Sequence, residues 1–247
     1  MNPDREKTLR EMGLGPVWKL RARTAAMPAE QVAVASAAVA APAIVPIPPI
    51  PPIRSIAPPG AMAWNELAAT VAACRLCRLC EARKQAVLGV GDRNADWLFV
   101  GEGPGAEEDQ RGEPFVGQAG KLLDNMLVAI GLKRGEDVYI ANAVKCRPPE
   151  NRTPTPEETA ACRPYLERQI ELIRPKLIVA LGRPAAQTLL QTEIKIAAAR
   201  GKLHDYRGIP LIVTYHPAYL LRTLLDKAKA WEDLCFMRQT MKQRKDT

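Results

Sequence analysis

The sequence predicts an α/β protein: a mainly parallel four-stranded sheet covered on both faces by helices. Two observations carry this. Four short apolar, β-branched runs alternate with segments of helical period, the pattern that βαβ crossovers produce. Each run also ends in a turn of unusual composition, at the strand ends where open parallel sheets bind their ligands.

The first strand is predicted at Trp97–Gly101, and it opens the stretch around which the chain is organised, WLFVGEGPGAEEDQRGEPFVGQAG. A glycine-rich turn at 101–105 and a long loop precede a helix over Gln118–Ile130, whose Leu122, Leu123, Met126, Leu127 and Ile130 share a face. A loop of that length in a compact domain is a place to look for a site. The second strand, Val138–Val144, runs into NAVKCRPPENRTPTPEE. There Thr155, Pro156 and Glu158 form a capping box with proline at the first helical position. The helix that follows is expected to be interrupted at Pro164 and to resume toward Ile173. The third strand is Leu177–Leu181. The fourth, Leu211–Tyr215, ends in HPAYLLR before a helix through Trp231 and Phe236.

The folded domain is read as residues 61–247, preceded by an extension over 1–60. Ala33–Pro59 is an Ala/Pro tether whose second half favours extended polyproline geometry. The uncharged run Gln31–Ile53 is long enough to suggest a membrane span, but Pro42, Pro46, Pro48, Pro49, Pro51 and Pro52 forbid a continuous helix there. No membrane association is expected, and an intracellular, cytoplasmic protein is. Residues 1–30 read as a frayed terminus; the sharper alternative makes Trp18 part of a docking peptide for a partner protein. The net charge of +8 favours a polyanionic partner such as nucleic acid.

Six cysteines, at 74, 77, 80, 146, 162 and 235, stand in a chain without a secretion signal, so metal, cluster or catalytic use is preferred to disulfides. CRLCRLC offers a C-x-x-C pair in two registers, Cys74/Cys77 or Cys77/Cys80. Two single cysteines, Cys146 and Cys162, lie beside proline-bearing turns. One pair plus two singles suits a four-iron cluster somewhat better than zinc, and both accept four thiolates. Cys235 lies in an apolar helical stripe and reads as core.

GEGPG at 101–105, PFVGQAG at 114–120, NAVKCRPPENR at 142–152, HPAYLLR at 216–222 and CRLC at 74–77 together resemble the family 4 uracil-DNA glycosylases. The resemblance spans roughly Ala61 to the C-terminus. It implies a three-layer α/β/α fold, hydrolysis of the N-glycosidic bond of uracil in single- or double-stranded DNA to leave an abasic site, and no catalytic metal. It also implies a structural four-iron, four-sulfur cluster on Cys74, Cys77, Cys146 and Cys162, leaving Cys80 spare. Uracil-containing DNA is then the partner of a nucleoid-associated monomer.

Such a reaction builds positive charge on the sugar and negative charge on the departing base, and the motifs offer a group for each demand. Phe115 is placed to stack on an extruded base. Asn142 carries both a donor and an acceptor, the complement of the uracil O4 and N3–H edge. His216, at a strand end before a helical turn, is expected to stay neutral and donate to O2 of the forming uracil anion. Glu102 is the carboxylate inside the tight turn and a candidate for orienting water, although better-known uracil glycosylases carry an aspartate at the position matched by Gly103. Gly101, Gly103, Pro104 and Gly105 shape the turn, the glycines letting backbone approach the ligand. Leu220, by motif position, is expected to fill the gap left by the flipped nucleotide. Arg222, Lys145, Arg147 and Arg152, with Arg200 and Lys202, are candidate phosphate contacts.

No lysine nucleophile stands out in the pocket motifs, which points to a monofunctional enzyme. Two other classes compete. A protein that traps uracil-DNA covalently is one; relatives of that kind carry a histidine in the loop after the second strand, and RPPENRTPTPEE has none. The other is a cluster-stabilised nucleotide-binding module without hydrolase activity.

Overall fold

A computed structural model describes residues 62–245; the extension and its tether lie outside them. Four strands, β2 (Trp97–Gly101), β3 (Val138–Asn142), β4 (Leu177–Leu181) and β6 (Ile209–Thr214), pair in parallel in the order β3-β2-β4-β6. Two further strands extend this sheet to six. The two-residue β1 (Val90–Gly91) pairs antiparallel with β3, and β5 (Leu203–Tyr206) pairs antiparallel with β6. The β5–β6 hairpin turns on Arg207 (φ 51°) and Gly208 (φ 87°), both left-handed, the backbone that matches strand twist in a two-residue loop. Sequence pattern missed β5 because its residues are mostly exposed.

Every residue of β2, β3 and β4 is buried, and their side chains alternate between two cores. Trp97, Phe99, Val138, Ile140 and Val179 point to one face. There they meet helices α4 (Gln118–Ala129), through Leu123, Met126 and Leu127, and α9 (Lys227–Lys245), through Leu234, Met237 and Met241. Leu98, Val100, Tyr139, Ala141 and Ala180 point to the other face, against α5 (Pro156–Ile173) and α6 (Arg183–Leu190). The result is the three-layer α/β/α sandwich. A third, smaller core joins α1 (Trp64–Ala73) and the short α2 (Leu79–Ala82) to Val144, Tyr165 and three cysteines.

Helix α5 corrects one expectation. Its capping box forms, with Glu158 N donating to Thr155 Oγ1 at 3.3 Å and Thr155 N donating to Glu158 Oε2 at 2.8 Å. The helix then runs unbroken for 18 residues through Pro164. One backbone bond is lost at the proline, but buried Cys162, Tyr165, Leu166, Gln169, Ile170 and Ile173 on one side hold the helix together across it.

The long loop after β2 contains an unpredicted six-residue helix, α3 (Ala106–Arg111), too charged to show an apolar stripe. A four-residue helix, α7 (Ile196–Ala199), precedes β5, and α8 (Pro217–Arg222) follows β6. Because the chain after β2 leads to α4 on one face and the chain after β3 leads to α5 on the other, the loops part between these adjacent strands. A crevice opens there at the carboxyl end of the sheet. Among the described residues, no helix is long and apolar enough to cross a membrane.

Candidate active site

The crevice is a cleft of about 480 Å³, within the range of small-ligand sites. Its walls bring together Glu102, Gly103, Pro104 and Gly105 from the loop after β2, Phe115 from before α4, Asn142 at the tip of β3, Arg152 beyond it, and His216 and Arg222 from the β6–α8 corner. Gly101 lies just beneath. A Cβ there would sit 2.4 Å from Asn142 Oδ1 and 2.6 Å from the Phe115 ring, so the amide and the ring approach each other only because residue 101 has no side chain.

Phe115 adopts φ 55°, a left-handed backbone that a non-glycine residue holds at a cost of about 1–3 kcal/mol. Its ring is buried at 6% exposure and belongs to the core, yet it also lines the cleft, with its centroid 5.5 Å from that of His216. Packing the loop onto the sheet and presenting a flat face to the cleft are done by one side chain.

Asn142 is 2% exposed, and its Oδ1 has no hydrogen-bond partner. A buried acceptor left unmade costs roughly 1–3 kcal/mol, a cost that a ligand N–H entering the cleft would remove. His216 caps α8, and its Nδ1 accepts from Ala218 N at 3.1 Å. That bond puts the proton of the neutral ring on Nε2. Burial, reinforced by repulsion from Arg222, lowers the His216 pKa from 6.5 to about 4, so the ring is neutral near pH 7. Burial raises the Glu102 carboxyl, while a hydrogen bond from Thr153 and the charge of Arg183 pull it back. A ring face, a buried acceptor, a neutral N–H donor and a carboxylate around one small cleft suit a planar heterocycle carrying amide groups.

Two contributors escaped the sequence reading. Glu108 accepts from Gly105 N at 3.1 Å through one oxygen, and from Val116 N at 3.0 Å and Gly117 N at 3.2 Å through the other. It ties the 101–105 turn to the Phe115 loop. Its place three residues into a helix that starts after Gly105 is a capping signal, hidden because α3 itself was not predicted. Thr153, the partner of Glu102, gave no signal.

Several expected DNA contacts are elsewhere. Leu220 is 1% exposed and sits in the core with α4 and α9, because the HPAYLLR segment coils into α8 and turns that position inward. Lys145 is 1% exposed; its Nζ donates to the Asn142 carbonyl at 2.8 Å and to Gln169 Oε1, so it braces the β3 tip from inside. Arg200 is held by Asp233 and Glu232 of α9. Arg147 donates to Asn151 Oδ1 at 2.8 Å, and Arg152 pairs with Glu158 at 2.7 Å while keeping 42% of its side chain exposed. Arg222 and Lys202 are exposed. His204, on β5, bonds the Ala199 carbonyl and takes no part in the cleft.

Cys74, Cys77, Cys146 and Cys162 line a second, small cavity between α1 and α5, and Cys80 is not among its walls. Donors face three of the sulfurs: Arg83 Nη1 lies 2.8 Å from Cys146, Lys145 N 3.2 Å from Cys162, and Tyr165 Oη 3.4 Å from Cys74. Such donors suit sulfur that carries negative charge, so the set fits a thiolate-ligated group. Among the described residues, no three His, Cys, Asp or Glu side chains close on a point that a single ion would occupy.

Residues 88–235, more than half of the chain, match the family model described as the uracil DNA glycosylase superfamily. The type-4 uracil-DNA glycosylase of Archaeoglobus fulgidus is 48% identical over 165 residues, covering 64% of this chain and 82% of the relative. That of Thermotoga maritima is 50% identical, covering 60% and 78% respectively. A type-5 uracil-DNA glycosylase of Pyrobaculum aerophilum is 36% identical, covering 53% of this chain and 64% of the relative.

Proposed function

The chain belongs to the uracil DNA glycosylase superfamily, in its type-4 branch, and we propose that the cleft at the ends of β2, β3 and β6 is where it works. It is a DNA repair enzyme, a hydrolase that releases uracil from DNA and leaves an abasic site. One observation carries the placement: the buried, partnerless Asn142 Oδ1 lies in the same cleft wall as the Phe115 ring and the neutral His216.

In this reading the flipped uracil lies against Phe115, and its N3–H meets Asn142 Oδ1. As the glycosidic bond breaks, charge gathers on the uracil oxygens, and the Nε2–H of His216 donates to O2 without giving up its proton. A donor aimed at developing charge contributes most where water is excluded, as when a bound base fills the cleft. Glu102, held by Thr153, orients the attacking water and balances positive charge on the sugar.

Arg222 and Arg152 are the basic side chains lining the cleft and serve as phosphate contacts, with Arg147 outside its lining. With Leu220 buried, we assign the wedge that holds the duplex open to the leucines beyond it. Leu221, Leu224 and Leu225 are 41%, 64% and 90% exposed, and they flank Arg222, which lines the cleft. We further propose that the four cysteines hold a structural four-iron, four-sulfur cluster. Four cysteines lining one cavity, with hydrogen-bond donors facing three of their sulfurs, support a thiolate-held group there. Bound there, the cluster would fasten α1 and the 74–87 segment to the loop after β3. We read residues 61–247 as a monomeric, intracellular catalytic domain, and residues 1–60 as a tether available to a partner protein.

Incubation with uracil-containing single- and double-stranded oligonucleotides, followed by alkali, tests the reading. Strand cleavage at uracil is expected. A stable protein–DNA adduct would favour a trapping protein, and unaltered DNA would favour a module without hydrolase activity.

A further inference from the structure

The Phe115 loop is strained, and one side chain outside the cleft holds it in place. Arg134, in the turn after α4, directs all three guanidinium nitrogens at neighbouring groups. Nη1 donates to the Pro114 carbonyl at 2.9 Å, Nη2 to the Phe115 carbonyl at 2.8 Å, and Nε to Asp124 Oδ1 at 2.8 Å. The arginine side chain is 23% exposed, so it is anchored along its length rather than waving in solvent.

The two carbonyls belong to consecutive residues, and they can face one guanidinium together because Phe115 is left-handed at φ 55°. Space for this is made by Gly120 of α4: a Cβ there would fall 1.7 Å from the Phe115 carbonyl oxygen. Glycine at 120 lets the loop carbonyls lie against the helix, Arg134 grips them from outside, and the ring is turned inward beneath His216. From the other side Glu108 takes the next two backbone N–H groups, those of Val116 and Gly117. Loop polar groups are therefore held by a cation on the carbonyl side and an anion on the amide side.

We propose that Arg134, oriented by Asp124, is a positioning residue for base recognition: it fixes the Phe115 ring as a preformed wall of the pocket before DNA arrives. The proposal rests on the uracil reading of the cleft. A lysine cannot replace the arginine, because one ammonium cannot place three donors in a plane at those spacings. A preformed stacking wall spares the enzyme the ordering of this loop when the base enters, so losing it weakens binding and misplaces the base together.

The test uses the full chain, its Arg134→Ala and Arg134→Lys variants, and Phe115→Ala alone and combined with Arg134→Ala. Two readouts are taken: single-turnover uracil release, and hydrogen exchange of the 113–118 amides. Arg134→Ala is expected to lower uracil release by roughly tenfold to a hundredfold, with Arg134→Lys recovering little. Its loop amides are expected to lose protection while the sheet strands keep theirs. In the Phe115→Ala background, Arg134→Ala is expected to cost almost nothing further, since it acts through the ring. Losses that multiply in the double variant, or loop protection unchanged in Arg134→Ala, would overturn the proposal. Hydrogen exchange decides on the clamp even if wild-type protein released no uracil, an outcome that would instead refute the underlying reading.

Discussion

At His216, pH separates its role as a neutral donor from a structural one. The ring titrates near 4 in the folded protein and at 6.5 when free. Because the folded value is depressed, the unfolded chain binds the extra proton first, so the stability gained by burying the neutral ring is complete above pH 6.5 and lost as pH falls toward 4. Thermal melts of wild type and His216→Ala are expected to converge across that window. Removing the ring should cost about a hundredfold or more in single-turnover rate while DNA affinity stays within a few fold. An equal loss in rate and affinity would mark it as a DNA contact instead. For Asn142, replacement by Asp is expected to erode the choice of uracil over cytosine in paired oligonucleotides, because its fixed acceptor and donor are no longer both present.

At the scale of elements, the leucines of α8 and the turn after it divide by burial. Leu220→Ala empties a core position and is expected to lower unfolding free energy by roughly 2–5 kcal/mol in denaturant titrations. Leu224 and Leu225 together changed to Ala should leave stability nearly untouched. Their loss should reduce uracil release from duplex more than from single strands, which need no wedge; equal losses on both would exclude them. This region also shows what sequence can and cannot deliver. The four parallel strands were legible because their residues are apolar without a break, as burial on both faces demands. The cleft residues were legible through their motifs: an asparagine ending a strand is more often a turn former and a lone histidine more often filler, and only their neighbours in the sequence promoted them. Leu220 was misjudged because motif position gives no helical phase, and Lys145 because a lysine in a basic loop looks like a surface residue until a buried carbonyl and Gln169 are found to receive it. Arg134 left no trace in the pattern, since its partners are backbone carbonyls about 20 residues away.

For the whole molecule, the cysteine cavity makes the most direct prediction. Protein purified without air is expected to be brown, with broad visible absorbance, and removal of iron should lower its melting temperature by loosening α1 and the 74–87 segment from α5. A colourless, zinc-bearing preparation would contradict the cluster. Duplex affinity should fall steeply with salt, and neutralising Arg222 should reduce the slope of log affinity against log salt by about one, as for a single phosphate contact.

The two flanking strands have a further effect. On one side the sheet stops at the two-residue β1, and on the other at the four-residue β5, whose residues include His204 and Asp205. Among the described residues, neither offers a long run of bare backbone amides that another copy might extend by strand addition. Margins this blunt give copies crowded along one duplex little backbone through which to polymerise.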